Sequence, residues 1–324
     1  MTIELPGLFD LQVNGFAGVD FNGADLTADR AAEALDRMRG TGVTRVLPTL
    51  ITSSFARFAA SAGVLGRMTH EAIAGIHMEG PYISSEDGPR GAHPREDVGD
   101  ATIEDFSRRQ DAARGRIALV TLAPEVPGVL ALIEHLVASG VRVAIGHTAA
   151  TPAQIAEAIR AGATLATHLG NGCAQMLPRH PNVIWELLAA DALCASLIVD
   201  GHHLPPATVK AMVRAKGPRR TLLVTDATAA AASPPGRYRL GDLECVVGES
   251  ARVELAGTAY LAGSALTMPT AIANTVRFTG LPLDEVLPMA STLPAGYLGT
   301  VAAGCVTADW DAEAGQLFIR SVKT

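Results

Sequence analysis

Residues 140–171 read GVRVAIGHTAATPAQIAEAIRAGATLATHLGN, and this one stretch carries the unit from which the whole chain is built. A short apolar run, V-R-V-A-I, is followed by a helix-opening signal, an amphipathic run and a glycine, and then by a second short apolar run, A-T-L-A-T. Thr151 is a candidate N-cap, Pro152 suits the first helical position, Gln154 completes a capping box, and Gly162 follows the helix end. The two apolar runs have the length of buried parallel strands, so the stretch predicts strand, helix, strand. Each run ends beside a histidine, His147 and His168.

Working outward in both directions, the same alternation recurs. Apolar segments appear at GLFDLQV, GVTRVLPTLI, AIAGIHM, IALVTLA, GVRVAIG, ATLATHL, CASLIVD and TLLVTD, eight in all. Helical patterns lie between most of them, at TADRAAEALDRMRG, EDFSRRQDAARG, PGVLALIEHLVASG, TPAQIAEAIRAG, VIWELLAADA and PPATVKAMVRAKG. Eight strands alternating with helices predict an α/β fold, a (β/α)8 TIM barrel, with its active site on the loops past the carboxyl ends of the strands.

That placement picks out side chains. Gln12 and Asn14 follow the first strand, Glu79 the third, His147 the fifth, His168 the sixth, Asp200 and His203 the seventh and Asp226 the eighth. His93 falls in the long loop after the third strand. Glu79 ends the run G-I-H-M-E-G-P-Y as a carboxylate in an otherwise buried strand, where it needs a partner. Glu79, His147 and His168 together offer one carboxylate and two imidazoles, a donor set for a divalent transition ion that leaves room for water. Such an ion lowers the pKa of its water from about 15.7 toward about 7, and Asp226 is placed to take that proton and return it to a leaving group. Hydrolysis is the reaction expected. His77, two residues before Glu79, reads as a support or core residue, and Cys173 has no motif of a nucleophile around it.

Composition bounds the rest. The chain has 324 residues, 48% hydrophobic and 18% charged, enough for one large core. The net charge of -7 is spread without blocks of one sign, which gives no nucleic-acid surface. Four cysteines, Cys173, Cys194, Cys245 and Cys305, are far apart and form no C-x-x-C pair, so a reducing cytoplasm is the expected compartment. The opening MTIELPGLFD lacks the charge and apolar pattern of a signal peptide, and no apolar run of about 18 residues predicts a membrane span.

The stretches DLQVNG, HMEGPY with the following GAHP, IGHTAAT, AGATLATHLGN, DGHH, VTDA and LAGSALTM, in that order, resemble the motifs of the N-acetylglucosamine-6-phosphate deacetylase family of the amidohydrolase superfamily. The resemblance runs from about Pro6 to about Thr307. It implies a cytoplasmic, metal-dependent barrel enzyme that removes the acetyl group of an amino-sugar phosphate, usually as a homodimer. It implies Glu79, His147 and His168 as metal ligands and Asp226 as general base and acid, with Gln12 and His77 beside them as candidate supports read from their places on the strands. It implies substrate contacts from Ala92, His93, Asn171, Gly172, Arg179, His203, Leu261, Ala262 and Gly263. Gln12-x-Asn14 stands where many amidohydrolases have His-x-His, as in the single-metal members, so one divalent ion per chain is expected, zinc first and iron as the alternative.

Three departures accompany the resemblance. The family carries a longer stretch before the first barrel strand, so its small β-sandwich is expected to be reduced or missing, with residues 1–300 as barrel and 301–324 as a strand remnant packed on it. The loop GNGCAQMLPRHPN differs after T-H-L, where the family has an aromatic residue and then Asn-Ala-Met-Pro. Asn182 stands where glycine is usual. These changes touch the sugar pocket and the Arg179 loop, which in the family reaches across the dimer, and they leave two other readings open: an amidohydrolase for a different N-acyl or cyclic amide, and a catalytically silent sugar- or partner-binding barrel.

Overall fold

The computed structural model describes residues 1–323. Its centre is an eight-stranded parallel sheet in chain order, made of Leu8–Val13, Val43–Ile51, Ile76–Glu79, Ile117–Leu122, Arg142–Ile145, Leu165–Ala166, Cys194–Ile198 and Thr221–Val224. The predicted barrel strands are all present, and the barrel closes between the first and the eighth. Val13 and Ala227 form a parallel bridge, Asp226 N–H donates to Gln12 O at 2.9 Å, and Asn14 N–H donates to Ala227 O at 2.7 Å. Deeper in the seam the buried Asp10 carboxylate accepts the Thr225 hydroxyl at 2.6 Å and the Thr225 N–H at 3.3 Å. Burial pushes the Asp10 carboxyl up to about 7 against those hydrogen bonds.

The helices form where capping and periodicity predict them. Ala28–Arg39, Ile103–Ala112 and Pro152–Ala161 open on Thr27, Thr102 and Thr151, whose side chains each accept from the backbone N–H three residues on. Pro152–Ala161 has the full capping box with Gln154, a feature worth about 1 kcal/mol. Val129–Ala138 buries Leu132, Ile133 and Leu136 against the sheet, and full burial of each such side chain stabilises by roughly 1.5–3 kcal/mol. A helix at Phe55–Arg67 is additional to the patterns read from sequence, because Gly63 and Gly66 interrupt its periodicity.

Two three-stranded antiparallel sheets flank the barrel. Cys305–Asp311 pairs with Gln316–Lys323, the strands expected of the C-terminal tail, and Thr2–Pro6 adds a third strand on the other side of Cys305–Asp311. The second sheet is an insert after the eighth strand, formed by Gly236–Leu240, Leu243–Val247 and Val253–Leu255. Its strands alternate buried and exposed residues, so they lack the continuous apolar signal of the barrel strands. Leu240, Cys245, Val247 and Val253 form a small core of their own with Ile51, Ala230 and Ala262. No helix among the described residues is long and apolar enough to cross a membrane.

Candidate metal centre and active site

The carboxyl ends of the strands converge on a cavity of about 480 Å³. Glu79 ends the third strand 3% exposed, and the chain leaves it through Gly80, at φ +81°, where a Cβ would lie 2.0 Å from Thr52 Oγ1. Glu79 Oε1 lies 3.2 Å from His147 Nε2 and 3.0 Å from His168 Nε2, and the two Nε2 atoms are 3.1 Å apart. Gln12 Nε2 donates to the same carboxylate oxygen at 2.9 Å. Burial works to raise the Glu79 carboxyl, but with the two imidazoles protonated their hydrogen bonds and charge outweigh it and hold it well below the usual range.

This triangle fits a metal ion. The Pro89 carbonyl, 3.0 Å from His147 Nδ1, can only accept, so Nδ1 carries the hydrogen and a neutral His147 turns a bare Nε2 toward Glu79. Lone pairs and a carboxylate oxygen then face one another in a buried space, which is repulsive unless a proton or cation lies among them. Atoms each about 2.0–2.1 Å from one tetrahedrally coordinated ion stand roughly 3.3–3.4 Å apart, close to the separations observed. Glu79, His147 and His168 could therefore hold a metal.

The backbone is bent to bring these groups inward. His147, His168 and Asp226 have φ of 50°, 28° and 51°, three of only seven non-glycine residues with positive φ in the described chain. Such conformations cost of order 1–3 kcal/mol each and persist only where neighbours enforce them. Ser84 N–H on His147 O, Ser196 Oγ on His168 N–H, and Gln12 O and Ser264 N–H on the two sides of Asp226 supply that enforcement.

Asp226 lines the same cavity, and Asn14 Nδ2 donates to its Oδ1 at 2.7 Å. Burial, and next the negative charge of Glu79, push the Asp226 carboxyl up to about 7. His93 packs edge-on against His147 with ring centroids 4.3 Å apart, and burial drops its imidazole to about 3, so it is neutral. His203 Nδ1 is 2.7 Å from Asp200 Oδ2. Burial acts to raise Asp200, and its hydrogen bonds, chiefly from His203, hold it below the ordinary value.

Of the residues singled out in the sequence, Ala92, His93, Asn171, Gly172, His203, Leu261, Ala262 and Gly263 join the metal triangle and Asp226 around the cavity. Gln12 lies behind Glu79. His77 lies beneath the site, donating from Nδ1 to Leu11 O at 3.1 Å and accepting at Nε2 from Thr121 Oγ1 at 2.8 Å. Both its nitrogens are thereby used, and it cross-links barrel strands. Arg179 is exposed and does not line the cavity. Asn182 caps the helix Val183–Ala189, its Oδ1 accepting from Trp185 N–H at 3.2 Å and its Nδ2 donating to Pro178 O at 3.0 Å. A glycine could do neither, so Asn182 shapes the loop that carries Arg179. The insert adds cavity residues that the strand-end reading did not reach, Leu240, Leu243, Arg252 and Tyr260.

A scan against protein-family models gives no match. Among curated proteins the chain is 34% identical over 320 residues to N-acetylglucosamine-6-phosphate deacetylase of Lysinibacillus sphaericus, covering 96% of this chain and 80% of that protein. It is 33% identical over 304 residues to N-acetylgalactosamine-6-phosphate deacetylase of Escherichia coli O157:H7, covering 91% of this chain and 78% of that protein. Among solved structures, N-acetyl-D-glucosamine-6-phosphate deacetylase of Mycobacterium smegmatis superposes with a TM-score of 0.91 at 33% identity, over 99% of this chain and 85% of that one. That structure is of a single-residue variant in complex with N-acetyl-D-glucosamine-6-phosphate.

Proposed function

The chain belongs to the N-acetylglucosamine-6-phosphate deacetylase family of the amidohydrolase superfamily, and from that premise we propose that it hydrolyses N-acetylglucosamine 6-phosphate to glucosamine 6-phosphate and acetate. The observation that carries the proposal is the buried Glu79–His147–His168 triangle sharing one cavity with Asp226.

Glu79, His147 and His168 would hold one divalent ion, which we take to be zinc, with iron as the alternative. When bound, such an ion acidifies a water and polarises the substrate carbonyl. Asp226 does the proton work. Asn14 occupies its Oδ1, leaving Oδ2 to take a proton from the attacking water as the C–O bond forms and to pass it to the amide nitrogen as the C–N bond breaks. In the metal-free site burial and the Glu79 charge raise this carboxyl, and a cation held by Glu79 would draw it down again. His93 stays neutral and packs against His147, keeping the imidazole edge in place. His203, Ala92, Asn171, Gly172 and the Leu261–Gly263 backbone surround the sugar. Arg179, exposed and outside the lining of its own cavity, is assigned to the cavity of a second copy in a homodimer.

A second reading, the C4-epimeric N-acetylgalactosamine 6-phosphate, is favoured by the equally similar relative named for that substrate. The altered GNGC loop, whose Gly172 and Cys173 line the cavity, favours a third, a different N-acyl group. The test is a hydrolysis screen of metal-loaded protein on both epimers, with and without the 6-phosphate, and on longer N-acyl groups, scored by equimolar release of amine and acid. The glucosamine 6-phosphate derivative should show the highest kcat/KM. No hydrolysis of any member would leave a silent barrel and overturn the proposal.

A further inference from the structure

The cavity brings together two sets of charged and polar groups, Glu79 and Asp226 from the strand ends, and His202 and His203 after the seventh strand with Arg252 of the inserted sheet. Among the described residues a single lysine or arginine lines the cavity, Arg252, immediately before the insert strand Val253–Leu255. Its Nε donates to Glu254 Oε1 at 2.6 Å and its Nη2 to Ala259 O at 3.4 Å, which fixes the plane of the guanidinium and leaves Nη1 without a protein partner among the described residues.

The histidine loop is tied to the same place. His202 Nε2 donates to Ser250 O at 2.9 Å, two residues from Arg252. His203, next in the loop, spends Nδ1 on Asp200, leaving Nε2 free. Arg252 and His203 thus line one cavity on segments joined by a hydrogen bond that sequence spacing does not reveal.

We propose that Arg252 is a specificity-determining residue, a cation supplied by the chain itself that binds the phosphate of the substrate together with His203. This rests on the reading of the substrate as a sugar phosphate. In a protein of net charge -7 the general field repels a dianion, so recognition has to be local. A guanidinium meets phosphate oxygens through parallel charge-assisted hydrogen bonds, and Nη1 is the edge available for them. The pair with Glu254 is no obstacle, because both side chains are more than a third exposed, at 37% and 39%, and such pairs are weak. The arginine sits on the inserted sheet and not on a barrel strand, so the insert contributes selectivity while the strand ends contribute chemistry.

The test uses Arg252→Ala and Arg252→Lys in the full-length protein. Calorimetry measures the affinity for inorganic phosphate and for glucosamine 6-phosphate, and kinetics measure kcat/KM on the N-acetyl sugar with and without its 6-phosphate. Arg252→Ala should weaken both ligands at least about 10-fold and lower kcat/KM on the 6-phosphate by a similar factor, as loss of a charge-assisted hydrogen bond does, with less than about 3-fold change on the unphosphorylated sugar. Arg252→Lys should recover part of the loss. Unchanged phosphate affinity in Arg252→Ala, or equal losses on both sugars, overturns the proposal. If the wild-type protein neither binds phosphate measurably nor prefers the phosphorylated sugar, the substrate reading itself fails. A wild type that does both, with an Arg252→Ala variant that matches it, refutes Arg252 alone.

Discussion

Gly172→Ala tests whether the loop after the sixth strand acts as a wall for a metal ligand. Gly172 has φ +57°, and a Cβ there would stand 3.0 Å from His147 Nδ1 and 3.2 Å from both its Cα and its Cγ. Carbon contacts relax at about 3.5–4.0 Å, so something must move by several tenths of an ångström. The imidazole has little room to give, because Nδ1 is held by Pro89 O at 3.0 Å, and the backbone has little, because Thr148 N–H is bonded to Gly172 O at 3.1 Å. A left-handed backbone costs a residue with a side chain about 1–2 kcal/mol, and overpacking a filled site costs about 1–3 kcal/mol, so the native state is destabilised by roughly 2–5 kcal/mol. Unfolding entropy of about 2.1 cal/mol/K per residue turns that into a fall in Tm of roughly 3–7 °C for a chain of 324 residues. If the imidazole yields instead, the structure keeps part of its stability and the ion is held about 10- to 100-fold more weakly. Thermal melts with and without chelator, and the metal-to-protein ratio after dialysis, read the two outcomes together. Gly99→Ala, where a Cβ meets nothing within 4 Å, is the control and should stay within about 0.5 kcal/mol of wild type. A Gly172→Ala protein with full metal content and a Tm within about 1 °C of wild type would refute the close approach to His147.

Three further outcomes are expected. Asp226→Asn keeps size and removes basicity, so kcat should fall at least about 100-fold with metal content near normal, and loss of the metal along with activity would make Asp226 a ligand instead. Arg179→Ala and Asp226→Asn chains, each impaired alone, should recover part of the activity on the 6-phosphate when mixed, because a mixed dimer has one site with a sound base and an arginine lent by its neighbour; no recovery under conditions where the copies exchange removes Arg179 from the partner's cavity. Burial drives the Asp20 carboxyl up to about 7 from its ordinary value of 3.8, while it accepts Asn22 N–H at 2.9 Å and Gly241 N–H of the insert at 2.7 Å. A raised carboxylate binds its proton more tightly in the folded state, so its contribution is fully present below about pH 4 and is lost as pH rises through about 7. Asp20→Asn should therefore flatten the pH dependence of unfolding free energy between those limits by up to roughly 1.4 kcal/mol per pH unit, and an unchanged slope in denaturant titrations would contradict the shift.

Much of this protein was legible in the order of its residues. The alternation of short apolar runs with capped amphipathic runs is a local property, and it determined the barrel, because a strand buried on both faces and a helix buried on one write different periods into the sequence. The Glu79–His147–His168 triangle that could hold a metal followed from it. Once Glu79, His147, His168 and Asp226 are known to end the third, fifth, sixth and eighth strands, the barrel has only one place to put them. Closure through Val13 and Ala227, the positive φ at three site residues and the packing of Gly172 on His147 were decided in three dimensions. So were the third strand at Thr2–Pro6 and the inserted sheet that brings Arg252 to the cavity. The physical reason is the range of the interactions: capping and period act within a few residues, whereas Thr2 meets Asp309 and Ser250 meets His202 only after the chain between them has folded. One-sided antiparallel strands carry half the apolar signal of barrel strands, and which loop reaches over a cavity is set by packing among elements far apart in the chain.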